Sequence, residues 1–289
     1  MPPPDAFSRM TADPAAELLR WYAEMGADEA IGEEPFVQQP VIQQPGASSG
    51  RPPEAAGGGS VARPLTPPLS PEGRGRNQGV PSFESAEAQA AAAQDLESLE
   101  AAVRAFTGCA LRQTATNTVF ADGNPQGPVM VIGEAPGADE DRIGKPFVGR
   151  SGQLLDRMLA TIGLDRKVNT LITNAIYWRP PGNRKPSPAE AAACLPFVRR
   201  HIALVKPSLI VLCGGTAASA LLGVPDGITK LRGRWFELRI PELDHPIPSI
   251  CLYHPSYLLR SPERKKETWR DLLLIQSKLE EVNKNSSRT

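Results

Sequence analysis

Four short apolar runs recur in the second half of the chain, at 129–132, 168–173, 209–212 and 249–252. Stretches with helical spacing alternate with them at 151–162, 188–205, 216–222 and 262–282. Runs this short read as strands, and strand–helix alternation predicts a mostly parallel sheet covered by helices on both faces. The expected fold is therefore α/β, three layers built on a short four-stranded sheet. Upstream, residues 85–106 are rich in Ala, Glu and Leu, which favour helix, and the folded domain is expected to begin there and to run over 85–283.

Residues 14–32 carry Leu18, Leu19, Tyr22 and Met25 at helical spacing after Pro14, which suits a first turn. This short amphipathic segment either docks a protein partner or packs on its own domain. Between it and the domain, residues 33–84 are dominated by Pro, Gly and Ser without periodicity, the composition of a disordered linker, and 284–289 reads as a disordered tail. Nearly half of the 30 prolines fall before residue 90.

Charge sharpens this division. The net charge of zero hides 6 basic and 15 acidic residues in 1–102 against 26 basic and 17 acidic residues in 103–289. A basic domain beside an acidic segment points to a polyanionic partner such as nucleic acid. The four cysteines, Cys109, Cys194, Cys213 and Cys251, include no Cys-x-x-Cys pair and form no disulfide framework, so a reducing, cytoplasmic setting is expected. No apolar run is long enough to span a bilayer, and the N-terminus lacks the pattern of a signal peptide.

In parallel α/β sheets ligands bind beyond the carboxyl ends of the strands, which directs attention to three loops. After the first run comes Gly133-Glu134-Ala135-Pro136-Gly137, then Asp139-Glu140-Asp141 and Gly144-Lys145-Pro146-Phe147-Val148-Gly149-Arg150. Glycines let the backbone approach a ligand, and Phe147, between Pro and Gly, is placed to stack on a flat ring. After the second run comes Asn174, then Arg179-Pro180-Pro181-Gly182-Asn183-Arg184. An amide offers one donor and one acceptor, the complement of a uracil edge and the opposite of cytosine's, although a lone Asn also serves as a turn cap. After the fourth run comes His254-Pro255-Ser256-Tyr257-Leu258-Leu259. The imidazole could meet developing negative charge, and a leucine here would either wedge into stacked bases or begin the core face of the last helix.

From about Cys109 to Leu273 these motifs together resemble the family 4 uracil-DNA glycosylases. The resemblance implies a monofunctional hydrolase that flips uracil out of DNA, cleaves its N-glycosidic bond and leaves an abasic site, with no lysine in a Schiff-base role. It implies Gly133, Phe147, Asn174, Asn183 and His254 as the uracil pocket, with Glu134, Glu140 and His254 as catalytic residues and Leu258 as the intercalating residue. It implies uracil-containing DNA as partner and a monomer. Fold does not fix function, so a non-catalytic DNA-binding or damage-sensing module, or a different deaminated base, remains the alternative.

One departure stands out. The resemblance implies a 4Fe-4S cluster on four cysteines. Cys109 and Cys194 match two of the ligand positions, but Phe106 and Trp178 occupy the other two. Such clusters are held by four thiolates. The expectation is no cluster and no metal, with the two aromatic residues filling the vacated volume.

Overall fold

The computed structural model describes residues 83–286. The expectations for 1–32 and for nearly all of 33–84 lie outside the described residues. At the other end helix continues to Ser286 and takes in the first three residues of the expected tail, and the rest of the tail lies outside the described residues.

The stretch expected as one helix at 85–106 is two, α1 (Phe83–Ala92) and α2 (Leu96–Ala105). The break lies where Asp95 caps α2. Its carboxylate accepts the Ser98 N–H at 2.8 Å, and Ser98 Oγ receives the Asp95 N–H in return. A side chain that competes for backbone donors ends one helix and starts the next. A short α3 (Ala138–Ile143) and then α4 (Arg150–Ala160) follow the first parallel strand. The long α5 (Pro188–Val205) starts from a capping box of Ser187 and Glu190 with Pro188 at its first position. The remaining helices are α6 (Gly215–Leu222), α7 (Ile228–Leu231), α8 (Pro255–Arg260) and α9 (Lys265–Ser286). No helix among the described residues is long and apolar enough to cross a membrane.

The four predicted strands are present as β2 (Val129–Gly133), β3 (Thr170–Asn174), β4 (Leu209–Cys213) and β6 (Ile247–Leu252). They pair in parallel, in the order β3-β2-β4-β6. Two further strands, β1 (Ala121–Gly123) and β5 (Trp235–Leu238), add antiparallel edges, so the sheet has six strands in the order β1-β3-β2-β4-β6-β5. Sequence patterning missed them for a physical reason. A half-exposed edge strand buries little, and neither segment contains a continuous apolar run. The parallel strands are buried almost throughout, as expected of strands covered on both faces.

Two apolar clusters flank the sheet. One gathers Met130, Ile132 and Leu212 with α1, α2 and α5, and the other gathers Val131, Val211 and Ile250 with α4 and α9. Within the first, His201 of α5 is fully buried. Its ring stacks on Phe120 at 4.6 Å, and neither ring nitrogen finds a hydrogen-bond partner among the described residues. Burial lowers its pKa to about 3. Below the ordinary value of 6.5 the unfolded chain takes up a proton that the folded chain refuses. Stability present above that pH is thus lost as pH falls toward the folded value, at about 1.4 kcal/mol per pH unit. Urea unfolding at pH 6.5 and 4.5 should show wild type losing about 2–3 kcal/mol more than His201→Phe over this interval. Equal losses in both proteins would mean that His201 is not held neutral by the core.

Candidate active site

The carboxyl ends of β2 and β3 meet at Gly133 and Asn174, which are register partners. A Cβ at Gly133 would lie 2.4 Å from Asn174 Oδ1 and 2.5 Å from the ring of Phe147. Only glycine lets the amide and the aromatic face converge there. Asn174 is buried, and its side-chain amide makes no hydrogen bond within the described residues. Phe147 sits at φ 53°, in the left-handed region. For an aromatic residue this costs about 1–3 kcal/mol and persists only where the surroundings enforce it.

Part of that enforcement comes from Glu140, a buried residue of α3. One carboxylate oxygen accepts the N–H of Val148 at 3.0 Å and of Gly149 at 2.9 Å, and the other accepts the N–H of Gly137 at 3.1 Å. Both oxygens are engaged with the backbone, so Glu140 stitches the Gly133–Gly137 loop to the Phe147 loop. Glu134 is placed otherwise. Its Oε1 accepts the N–H of Thr216 at 2.9 Å, at the start of α6, and Oε2 makes no hydrogen bond among the described residues. Gly214, at φ 100°, leaves the room: a Cβ there would lie 2.5 Å from Glu134 Oε1.

His254 caps α8. Its Nδ1 accepts the backbone N–H of Ser256 at 3.2 Å and lies 2.8 Å from Ser256 Oγ. A nitrogen that accepts a backbone N–H carries no proton, so the hydrogen of the neutral ring is on Nε2, free to donate. Burial holds the imidazole below its ordinary value, reinforced by Arg260 and opposed by Glu134 and Glu140. The His254 and Phe147 rings lie 5.5 Å apart.

These side chains line one cavity of about 840 Å³. Glu134, Glu140, Phe147, Asn174, Asn183 and His254 all border it, with Gly133 in contact distance of Phe147 beneath. Asn183, at φ 55°, accepts the Arg179 Nε–H at 2.7 Å. Leu258 departs from the expectation: it is fully buried in the core beside α9, because α8 turns that position inward, whereas Leu259 is exposed. The sequence reading also missed Arg184, Lys185 and Arg260, which border the same cavity. Their signal was the clustering of cations immediately after motif residues. Arg184 is fixed by a two-pronged pair with Glu190, and the guanidinium holds that carboxyl down to about 2.

A profile of the Uracil DNA glycosylase superfamily matches residues 120–273, which contain the sheet and all of these loops. The chain belongs to that superfamily. It is 35% identical over 186 residues to a type-4 uracil-DNA glycosylase of Pyrobaculum aerophilum, covering 63% of this chain and 93% of the relative. It is 37% identical over 179 residues to the type-4 uracil-DNA glycosylase of Archaeoglobus fulgidus, covering 60% and 88%. A third type-4 enzyme, from Thermotoga maritima, is 39% identical over 170 residues, covering 57% and 84%. The superfamily fold, an α/β sheet flanked by helices, is the one seen here, with the two edge strands added to the four expected.

The residues matched to the family's cluster ligands do not fit a four-thiolate cluster. Phe106, Cys109, Trp178 and Cys194 are all buried in the cluster on the α5 side of the sheet. The Phe106 ring lies 6.5 Å from Trp178 and 5.0 Å from Phe197, and Trp178 Nε1 donates to Thr118 Oγ1 at 3.0 Å. Two rings therefore stand where two sulfur ligands would be needed. The adjoining Cys109 thiol and burial push the Cys194 thiol well above its ordinary value.

The hydrogen-bond pattern of His254 makes a direct prediction. Nitrogen-15 NMR of the imidazole should find Nδ1 bare and Nε2 protonated at neutral pH, with a titration midpoint below 6.5. A protonated Nδ1, or a midpoint above that value, would overturn the assignment.

Proposed function

We propose that this chain excises uracil from DNA by hydrolysing the N-glycosidic bond, releasing free uracil and leaving an abasic site, as a step of base excision repair. The observation that carries the reading is the convergence of an unpaired Asn174 amide, the Phe147 ring and a neutral His254 donor in one cavity. The names of the relatives support the same reaction.

A base in a duplex is out of reach, so the nucleotide is flipped into the cavity. There the uracil ring stacks on Phe147. The Asn174 amide pairs with O4 and N3–H, and cytosine, with the opposite pattern at position 4, leaves buried groups unpaired. As the glycosidic bond lengthens, the electron pair moves onto the base and positive charge develops on the sugar. The Nε2–H of His254 donates to the uracil oxygen on which negative charge accumulates. The free Oε2 of Glu134 supports the cationic sugar and accepts a hydrogen of a water, whose oxygen bonds to C1′ while that proton passes to the carboxylate, and the uracil anion leaves to be protonated by solvent. Glu140, with both oxygens on backbone donors, serves to position the loops. Asn183 borders the pocket beside Lys185 and Arg260, which supply cations for the phosphates flanking the flipped nucleotide. Exposed Leu259, rather than buried Leu258, is the residue able to fill the gap left in the stack.

Single-turnover assays on uracil-containing oligonucleotides test these roles. Asn174→Ala and His254→Ala should each slow excision about 10²–10³-fold. Phe147→Ala should weaken stacking by about 1–3 kcal/mol. Glu134→Gln should slow excision with DNA affinity retained. Wild-type rates in all four variants would remove the assignment, and no release of uracil by wild type would remove the function.

The same reading holds that the chain works without a 4Fe-4S cluster, because two of the four ligand positions are aromatic. Protein purified anaerobically should contain far less than one iron per chain and retain full excision. Near-stoichiometric iron and sulfide with broad visible absorbance would contradict it.

A further inference from the structure

Phe147 combines an unfavourable backbone angle with a ring that defines one wall of the base pocket, so something must fix its peptide groups from both sides. Glu140 holds the amides of Val148 and Gly149. The carbonyls of Pro146 and Phe147 face a different residue. Arg166, between α4 and β3, is largely buried, with 12% of its side chain exposed. Its Nη1 donates to Pro146 O at 3.1 Å and its Nη2 to Phe147 O at 2.8 Å. The guanidinium is itself immobilised by Asp156, 2.9 Å from Nε, and by Asp122 of β1, 3.0 Å from Nη1. Burial pushes the Asp122 carboxyl up, but Lys145 and Arg166 together hold it below its ordinary value, so it stays charged.

We propose that Arg166 is a positioning residue for uracil excision, acting through Phe147. Arg166 and Glu140 form opposite jaws of one clamp. The cation takes two successive carbonyls and the anion two successive amides, so the three peptide groups that join residues 146 to 149 are pinned. Gly152 completes the seat, since a Cβ there would lie 1.9 Å from the Phe147 carbonyl oxygen that Arg166 holds. The ring pinned in this way faces His254 and Gly133, so a shift of its backbone moves the stacking wall relative to the hydrogen-bonding edge. Lysine cannot substitute. A single ammonium can pair with one aspartate, but a planar fork is needed to reach two carboxylates and two carbonyls together.

This inference rests on the uracil-excising reading, and the test separates the two. Arg166→Met, Arg166→Lys and Phe147→Ala, singly and combined, are assayed by single-turnover excision at saturating uracil-containing DNA and by thermal melting. Arg166→Met should lower the excision rate constant about 10–100-fold, the scale of a misplaced pocket wall. In the Phe147→Ala background it should change that constant less than about twofold, because the wall it positions is gone. The melting temperature should fall equally in both backgrounds. Arg166→Lys should recover melting temperature and leave the rate low, which keeps the question answerable if Arg166→Met does not fold. Equal fold-losses of rate with and without Phe147 would show a role confined to stability and overturn the proposal. If wild type excises no uracil, the functional reading fails but the clamp is still decided by amide exchange at Val148 and Gly149. Exchange about tenfold faster or more in Arg166→Lys supports the clamp, and unchanged exchange refutes it.

Discussion

A side chain at the end of β2 would have nowhere to go. The space beyond Gly133 is shared by the Asn174 amide and the Phe147 ring, each within about 2.5 Å of where a Cβ would stand. Everything else in the site follows from that shared space. The amide arrives because β3 runs parallel to β2 in a register that pairs residue 133 with 174. The ring arrives because the chain folds back through a left-handed residue before α4. The two meet at the cavity wall, where no backbone group among the described residues pairs with the amide.

The charged residues around this point divide by what their polar atoms already touch. Glu134 and Glu140 are six positions apart and both border the cavity, yet one carboxylate is consumed by three backbone donors and the other keeps an oxygen in reserve. A buried carboxylate with both oxygens engaged fixes geometry, whereas one held at a single oxygen can still respond to a substrate. His254 follows the same logic. One ring nitrogen is committed to Ser256 and the other is left to donate.

How much of this could be read from the chain depended on whether the signal was local. The four parallel strands declared themselves because burial on both faces demands unbroken apolar runs. Asn174 and His254 declared themselves because each stands just past such a run, and Phe147 because a loop bounded by Pro146 and Gly149 is an unusual place for a core aromatic. The edge strands β1 and β5 gave no run to read. Leu258 and Leu259 could not be told apart, because a helix turns adjacent residues by about 100° and the direction that faces the core is set by α9. Arg166 was invisible for a stronger reason: its partners come from β1, from the Phe147 loop and from α4, and no spacing along the chain announces such a meeting. The two aromatic positions at 106 and 178 were legible as substitutions, but that the Phe106 ring packs on both Trp178 and Phe197 required the fold.

The short antiparallel strands at the two ends of the sheet also decide what its borders present to solvent. A parallel sheet that ended at β3 or β6 would expose a long apolar ladder of unpaired peptide groups, ready to recruit another chain. Instead, one border is a three-residue strand carrying Asp122, and the other carries Glu237 between Arg234 and Arg239. Short length and charge are the means by which natural sheets resist edge-to-edge growth. The borders that add nothing to the pocket therefore keep the cohesive parallel strands in the interior of the sheet.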